Sequence, residues 1–321
     1  MTEIFTALLI LAAAGIGLYL VSLIAEALRP APEAPTRLRW APDIPIRHAE
    51  VRGLRLRYIQ AGQGPNLVLL HTLRTQLDLF EKVVPRLAER FTVHAVDLPG
   101  HGFSDIPDAQ YDAQFFADAV EGFLDAVDVQ DATLAGVSIG GSLSLILAAR
   151  HNPRVVRAIA INPYDYAQGR GMARSSLLAR LVVASAAVPI LGETVMRLRT
   201  YFVMKNVLEG GVADPRSIPP QLLKEMYGTG NRKGHYRAFI RLLRHAGSWQ
   251  TATKDYPQIR VPTLFIWGDR DWATPEERTH DLQLVPDAEM TVVEHGGHFL
   301  PLDRPDEFAE HLQDFCRRHP I

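Results

Sequence analysis

The chain has 321 residues, 47% of them hydrophobic and 22% charged, with a formal net charge of -2. That is enough apolar material for a sizeable core, and it lacks the basic excess expected of a nucleic-acid binder. The single cysteine, Cys316, excludes an intrachain disulfide, and in "DFCRRHP" it reads as a small residue on a last helix.

Residues 4–25, "IFTALLILAAAGIGLYLVSLIA", run without a charge. As a helix this stretch is about 33 Å long, enough to cross a bilayer core of about 30 Å. A cleaved signal peptide fits less well: no Lys or Arg precedes the run, and Glu26 and Arg29 follow it instead of a small-residue cleavage site. Residues 1–29 are therefore expected to be a single-pass membrane anchor. Only Glu3 lies before the run, while Arg29, Arg37, Arg39 and Arg47 follow, so the positive-inside rule puts the large C-terminal part in the cytoplasm. Residues 30–45, "PAPEAPTRLRWAPDIP", hold five prolines and are expected to form a semi-extended linker. At roughly 3.1 Å per residue it reaches about 50 Å at most, which keeps the folded part near the membrane surface.

Further along, "IRHAEVRGLRLRYIQAG" reads as two strands turning at Gly53, and "NLVLLH" as a buried parallel strand. Helical spacing through Leu77, Phe80, Val84 and Leu87 predicts a helix over "QLDLFEKVVPRLAERF". "TVHAVDLPGHGFSD" is a strand ending in a glycine-rich loop, and "AQFFADAVEGFLDAVDV" an amphipathic helix. "ATLAGVS" is a strand, "IGGSLSLILAARHNP" a helix and "VVRAIAIN" a strand. This alternation predicts an α/β fold with a mostly parallel sheet and helices on both faces, over residues 46–162 and 251–321. Residues 163–250 interrupt it with helices and loops alone, expected to form a cap over the C-terminal edge of the sheet, where open α/β sheets place their ligands. The alternation resumes with "VPTLFIWGD", a helix from Pro275, "AEMTVVEHGGH" and a last helix from Pro305.

The stretch "TLAGVSIGGS" sets Ser138 between Gly136 and the pair Gly140-Gly141, after an apolar strand and before a helix. Gly136-Val137-Ser138-Ile139-Gly140 is the G-x-S-x-G pattern of a strained strand-to-helix turn, on which larger side chains two residues either side of the serine would collide. The bland alternative is a tight junction with a helix-capping serine. A serine hydroxyl attacks a carbonyl only when a base takes its proton and a third group orients that base. His295 and His298 in "EHGGHFLPLDRPDEF" are the candidate bases. Asp269 and Asp271 in "LFIWGDRDWATP" are the candidate orienting acids. The order Ser138, Asp271, His298 is the Ser-Asp-His order of one nucleophile-elbow class.

On these residues the chain resembles the α/β-hydrolase family over about residues 46–318. The resemblance implies a serine nucleophile at Ser138, the acid at Asp271 from "WGxxD" and the base at His298 from "GGHF". It makes "DLPGHGFSD", with His101, a structural loop; His94, inside a strand pattern, reads as a packed histidine rather than a ligand. It also implies an oxyanion hole made by the N–H groups of Ile139 and Leu73. Here His71-Thr72 stands where the family usually has "HG". That puts Leu73 in doubt as a donor, with a lost donor costing about 2.7–4 kcal/mol of transition-state stabilisation. The alternatives are that Thr72 or Arg74 contacts the substrate directly, or that Thr72 merely packs beneath the loop. A serine elbow argues against carbon–halogen and epoxide cleavage, which the family performs with aspartate.

No metal-ligand cluster or phosphate-cradling loop is evident, so no metal or cofactor is expected. Residues 163–250 carry 13 Lys or Arg against 5 Asp or Glu, whereas the rest carries 21 against 31. The same span includes the apolar "LLARLVVASAAVPILG". A basic, apolar cap beside a membrane suits a lipid-like substrate and an anionic surface. Equally, the apolar stretch reads as the cap's own core and the arginines as its solvated face. The expected function is membrane-anchored cleavage of a carboxylic ester. The alternatives are a carbon–carbon bond hydrolase or lyase with the same three residues, or a low-turnover binding protein on the same fold.

Overall fold

In the computed structural model, which describes residues 1–29 and 31–321, eight strands form one sheet in the order β1-β2-β4-β3-β5-β6-β7-β8. The strands are β1 (Ile46–Val51), β2 (Leu54–Ala61), β3 (Asn66–Leu70), β4 (Thr92–Val96), β5 (Ala132–Val137), β6 (Val155–Ile161), β7 (Thr263–Gly268) and β8 (Glu289–Val293). β1 and β2 are a hairpin turning through Arg52 and Gly53, both left-handed at φ 50° and 80°. A two-residue turn of that hand matches the natural twist of the strands it joins. β2 is antiparallel to β4, and every pairing from β4 through β8 is parallel.

The near-continuous apolar reading of β3, β5, β6 and β7 follows from burial on both faces. One face packs Phe116, Phe123 and Leu143, from helices Ala113–Ala126 and Ile139–Ala149. The other packs Phe80, Phe308, Leu312 and Phe315, the last three from the helix Pro305–Arg318. All the residues of Ile139–Ala149 are buried, which is why this helix carries no polar stripe.

One expected helix is absent. In place of a single helix over residues 76–91 the chain makes a 3₁₀ turn, Leu77–Phe80, and a one-turn helix, Val84–Leu87. Pro85 is the reason: it has no N–H to give to the carbonyl four residues back, and its ring crowds that carbonyl.

Between β6 and β7 the described residues are helical, with helices Leu177–Ala186, Leu191–Arg197, Tyr201–Glu209, Pro220–Gly230 and His235–Arg244 as the main pieces. Exposed on this insert are Leu177, Leu181, Val188, Ile190, Leu191 and Phe202. Helix α1 (Thr2–Ala27) is long and apolar enough to cross a membrane, with a mean hydropathy of 2.5 over its most apolar 18 residues.

α1 is clamped to the insert rather than tethered beside it. Its last turn packs on the helix Leu191–Arg197. Glu26 is buried there, accepting from Arg199 Nη1 (2.9 Å), Arg29 Nε (3.1 Å) and the Gly234 backbone N–H (3.0 Å). Arg29 also donates to Asn231 Oδ1 (2.6 Å) and to the Arg197 carbonyl (2.5 Å). The following proline-rich stretch likewise packs on the body. Leu38 is buried, Trp40 Nε1 donates to Asp78 Oδ1 (2.8 Å), and Arg39 pairs with Glu81 and Glu225. Pro30 lies outside the described residues.

Glu26 is the carboxylate shared by Arg29 and Arg199, so Glu26→Ala leaves the buried Arg199 and the half-buried Arg29 without their acid. Breaking a buried pair from one side costs on the order of 3–5 kcal/mol. The expected result is a clearly lower denaturation midpoint for the full chain in detergent, whereas an unchanged midpoint would show that the clamp contributes nothing.

Candidate functional site

The site lies where β3, β5, β6 and β7 end. Ser138 follows β5 and precedes Ile139–Ala149, with φ 59° and ψ -119°, a backbone conformation that L residues rarely adopt. Its N–H donates to the Ile161 carbonyl at 2.8 Å, which ties the turn to β6. The flanking glycines are required by contact, not by their own φ angles. A Cβ on Gly136 would sit 2.1 Å from the Gly140 carbonyl, and one on Gly140 would sit 2.2 Å from the Leu70 carbonyl. The turn is thus wedged between its own helix and β3.

The structure brings Asp271 and His298 together and leaves Asp269 and His295 elsewhere. His298 Nδ1 donates to Asp271 Oδ1 at 2.5 Å, with both side chains buried. Asp271 Oδ2 accepts from the Ala273 N–H (2.8 Å) and, more distantly, from the Tyr166 hydroxyl (3.4 Å). Asp269 instead accepts from the Gly296 N–H, and His295 meets Arg270. With the Nδ1 proton directed at Asp271, the lone pair of His298 is on Nε2. That atom and Ser138 Oγ are both buried without a hydrogen-bond partner. Buried polar atoms are nearly always paired, so an unpaired acceptor and an unpaired hydroxyl at one sheet edge mark a site prepared for something else.

Several contributors left no signal in the sequence. Trp272 stacks on the His298 ring, centroids 3.8 Å apart and planes 16° from parallel, and its Nε1 donates to the Gly210 carbonyl (2.9 Å). Asn162, just after β6, donates Nδ2 to the carbonyls of Gly297 and His298 (both 3.0 Å) and accepts from the Gly268 N–H (2.8 Å). One amide therefore fixes the loop carrying the imidazole against the strand whose end leads to the acid.

The loop after β3 is held by His71. Its Nε2 accepts from the Leu98 N–H (2.9 Å), so Nδ1 carries the proton and donates to the Thr72 carbonyl (2.7 Å). Thr75 Oγ1 donates to the same carbonyl (2.8 Å) and accepts from the Thr72 N–H (3.2 Å). Threonine is accommodated because the left-handed residue of this loop is Arg74, at φ 62°, and not Thr72. The Thr72 hydroxyl is itself buried and unpartnered. Thr72 and Leu73 line a niche of about 10 Å³ with Trp272 and Phe299, beside the imidazole. Ile139 is the first residue of its helix, so its N–H has no acceptor within the helix. A much larger apolar cavity, about 590 Å³, opens within the insert among Leu178, Leu181, Val188 and Met204.

His101, buried against His71, accepts no catalytic partner and hydrogen-bonds at Nδ1 to the Pro99 carbonyl. His94 sits in β4 beside Asn66. Among the described residues no group of three or more His, Cys, Asp or Glu side chains is placed to hold a metal ion.

A sequence profile for the alpha/beta hydrolase fold matches residues 65–305. A pimeloyl-[acyl-carrier protein] methyl ester esterase of Chromobacterium violaceum is 30% identical, over 80% of this chain and 93% of its own. Among solved structures, Cfl2 of Burkholderia cenocepacia superposes with a TM-score of 0.77 at 23% identity, covering 88% of this chain and 99% of its own. A bacterial membrane phospholipase A superposes with a TM-score of 0.69 at 24% identity over 100% of both chains, so its match extends across α1.

Two expectations come from this geometry. Gly140→Ala must push apart the elbow and β3, and should sharply lower the thermal midpoint. Gly228→Ala, where nothing lies within 4 Å of the added carbon, should be neutral or slightly stabilising. Equal effects would contradict the wedge. Burial keeps His71, His94, His101 and His235 neutral, with the pKa of His101 lowered to about 3 and that of His94 to about 4. The unfolded chain takes up these protons near the ordinary value of 6.5 and the folded chain does not, so stability falls as pH drops from there toward 4. Urea midpoints measured across that range should decline, and a flat profile would contradict the buried neutral histidines.

Proposed function

The chain belongs to the alpha/beta hydrolase fold family, and from that premise we propose that it is a membrane-anchored serine hydrolase cleaving a carboxylic ester of lipid-like character. Ser138 attacks the ester carbonyl. His298 Nε2 takes the serine proton and passes it to the leaving alcohol, while Asp271 holds the ring and stabilises the imidazolium that forms. The N–H groups of Ile139 and Leu73 receive the oxyanion, with Thr72 setting the path of the loop between them. Water then enters, loses its proton to His298 and releases the acid from Ser138.

The observation that carries this function is two buried atoms left without partners. A buried serine hydroxyl on a strained turn and the free Nε2 of an imidazole bound to a buried carboxylate both lack partners. Support for a lipid-like substrate comes from the 590 Å³ apolar cavity and from the exposed Leu181, Val188 and Leu191 that line it. Support for membrane anchoring comes from α1, whose last turn is clamped to that same insert. Residues 163–250 then act as the cap, residues 46–162 and 251–321 as the catalytic core, and residues 1–29 as a single-pass anchor with the catalytic part in the cytoplasm.

Hydrolysis of p-nitrophenyl esters from acetyl to palmitoyl by the full chain in detergent tests this. Turnover should favour long chains over acetyl by at least about tenfold, since each buried methylene adds about 0.8 kcal/mol. Ser138→Ala should remove at least about 10⁴-fold of it, and Asp271→Asn a comparable amount. Turnover that survives Ser138→Ala, or is equal for acetyl and palmitoyl esters, would contradict the proposal.

A further inference from the structure

Arg74 is set apart from the other interior arginines by its scarcity of acceptors and by the two openings it lines. Arg57 pairs with Asp78 and Asp97, and Arg199 pairs with Glu26. Arg157 and Arg278 lack a carboxylate, but each donates to backbone carbonyls, and Arg197 donates to the Tyr236 hydroxyl. Arg74 has no carboxylate: among the described residues its side chain makes one hydrogen bond, from Nη1 to His235 Nδ1 (3.3 Å), and lies over the Phe239 ring at 4.8 Å. His235, held neutral by burial, offers Arg74 a ring nitrogen as acceptor but no negative charge. The other groups acting on Arg74 are mainly like charges. Burial first, then Arg199 and Arg29, lower its pKa to about 9. The guanidinium nevertheless keeps accessible surface, because it faces open space. It lines both the large apolar cavity and the niche beside Thr72, Leu73 and Trp272. Its backbone is held left-handed at φ 62°, a conformation that residues with a side chain seldom adopt.

An interior cation with no acid is costly, and its cost is relieved when an anion arrives. We propose that Arg74 is the anion-recognising residue of the site, and that the ester carries a phosphate or carboxylate group which pairs with this guanidinium while its hydrocarbon part fills the apolar cavity. Arg74 lies two residues after Thr72, so the loop that frames the reacting carbonyl also presents the charge that orients the substrate. The forked donors of a guanidinium suit the paired oxygens of either anion. This inference rests on the ester-hydrolase function for the word "substrate", but the binding it asserts does not depend on turnover.

The test is calorimetric titration of the full chain in a neutral maltoside detergent with dodecyl phosphate, dodecanoate and 1-O-dodecylglycerol, none of which contains a carboxylic ester. At least one anionic amphiphile should bind roughly ten- to a hundredfold tighter than the uncharged one, the range of a charged hydrogen bond. Arg74→Gln should abolish that preference and Arg74→Lys should retain part of it, with the near-ultraviolet circular dichroism unchanged in both. Preference for the phosphate alone identifies a phosphate group, and preference for dodecanoate alone a carboxylate. No preference in the natural chain, or one that persists in Arg74→Gln, overturns the proposal. Arg74-dependent anion binding without ester turnover would uphold the anion site at Arg74 and overturn the hydrolase function instead.

Discussion

The whole site depends on a backbone held where few residues can go. Ser138 sits at φ 59° and ψ -119°, and there is no room around it: Gly136 meets Gly140, Gly140 meets the Leu70 carbonyl, and Gly141 meets the Gly136 and Ile161 backbones. Such a conformation persists only where its surroundings over-determine it. Here they do so with three parallel strands and a wholly buried helix. The sheet therefore acts as a clamp on one residue, and its apolar interior supplies the energy that keeps the turn strained.

The other groups are positioned by the same economy of short polar links across strand ends. Asn162 ties the His298 loop to the start of the segment leading to Asp271, and His71 ties the loop after β3 to Leu98. Each link satisfies buried backbone groups and at the same time fixes a side chain or loop at the site. Trp272 covers one face of the imidazole and shields the His298–Asp271 hydrogen bond from water, which strengthens it. Rigidity here comes from satisfied polar groups, while Ser138 Oγ, His298 Nε2 and Thr72 Oγ1 are among the buried side-chain atoms left without a partner.

What the sequence made legible was local. The elbow, "WGDRD" and "GGHF" each encode their geometry within a few residues, as do the hairpin at Gly53 and the apolar strands. The family patterns "WGxxD" and "GGHF" point to Asp271 over Asp269 and His298 over His295, and in the structure it is Asp271 and His298 that meet. Distant pairings were invisible: Glu26 meets Arg199 and Gly234 across 173 and 208 residues, and nothing near Glu26 announces it. The same holds for the proline-rich stretch, whose Trp40 and Arg39 find partners only in the folded body. The apolar spacing over residues 76–91 misled because Pro85 vetoes a continuous helix whatever the periodicity. Arg74 reads in the sequence only as one possible substrate contact, and the two cavities it lines become visible only in the fold.

The central claim is that Ser138 is an activated nucleophile, and covalent trapping tests it most directly. The full chain would be treated with a fluorophosphonate and the modified residue mapped by peptide mass spectrometry, alongside His298→Ala. One adduct on Ser138, lost or greatly slowed in His298→Ala, is the result the geometry requires. An unmodified Ser138, or labelling indifferent to His298, would show that the buried hydroxyl and the imidazole do not work together.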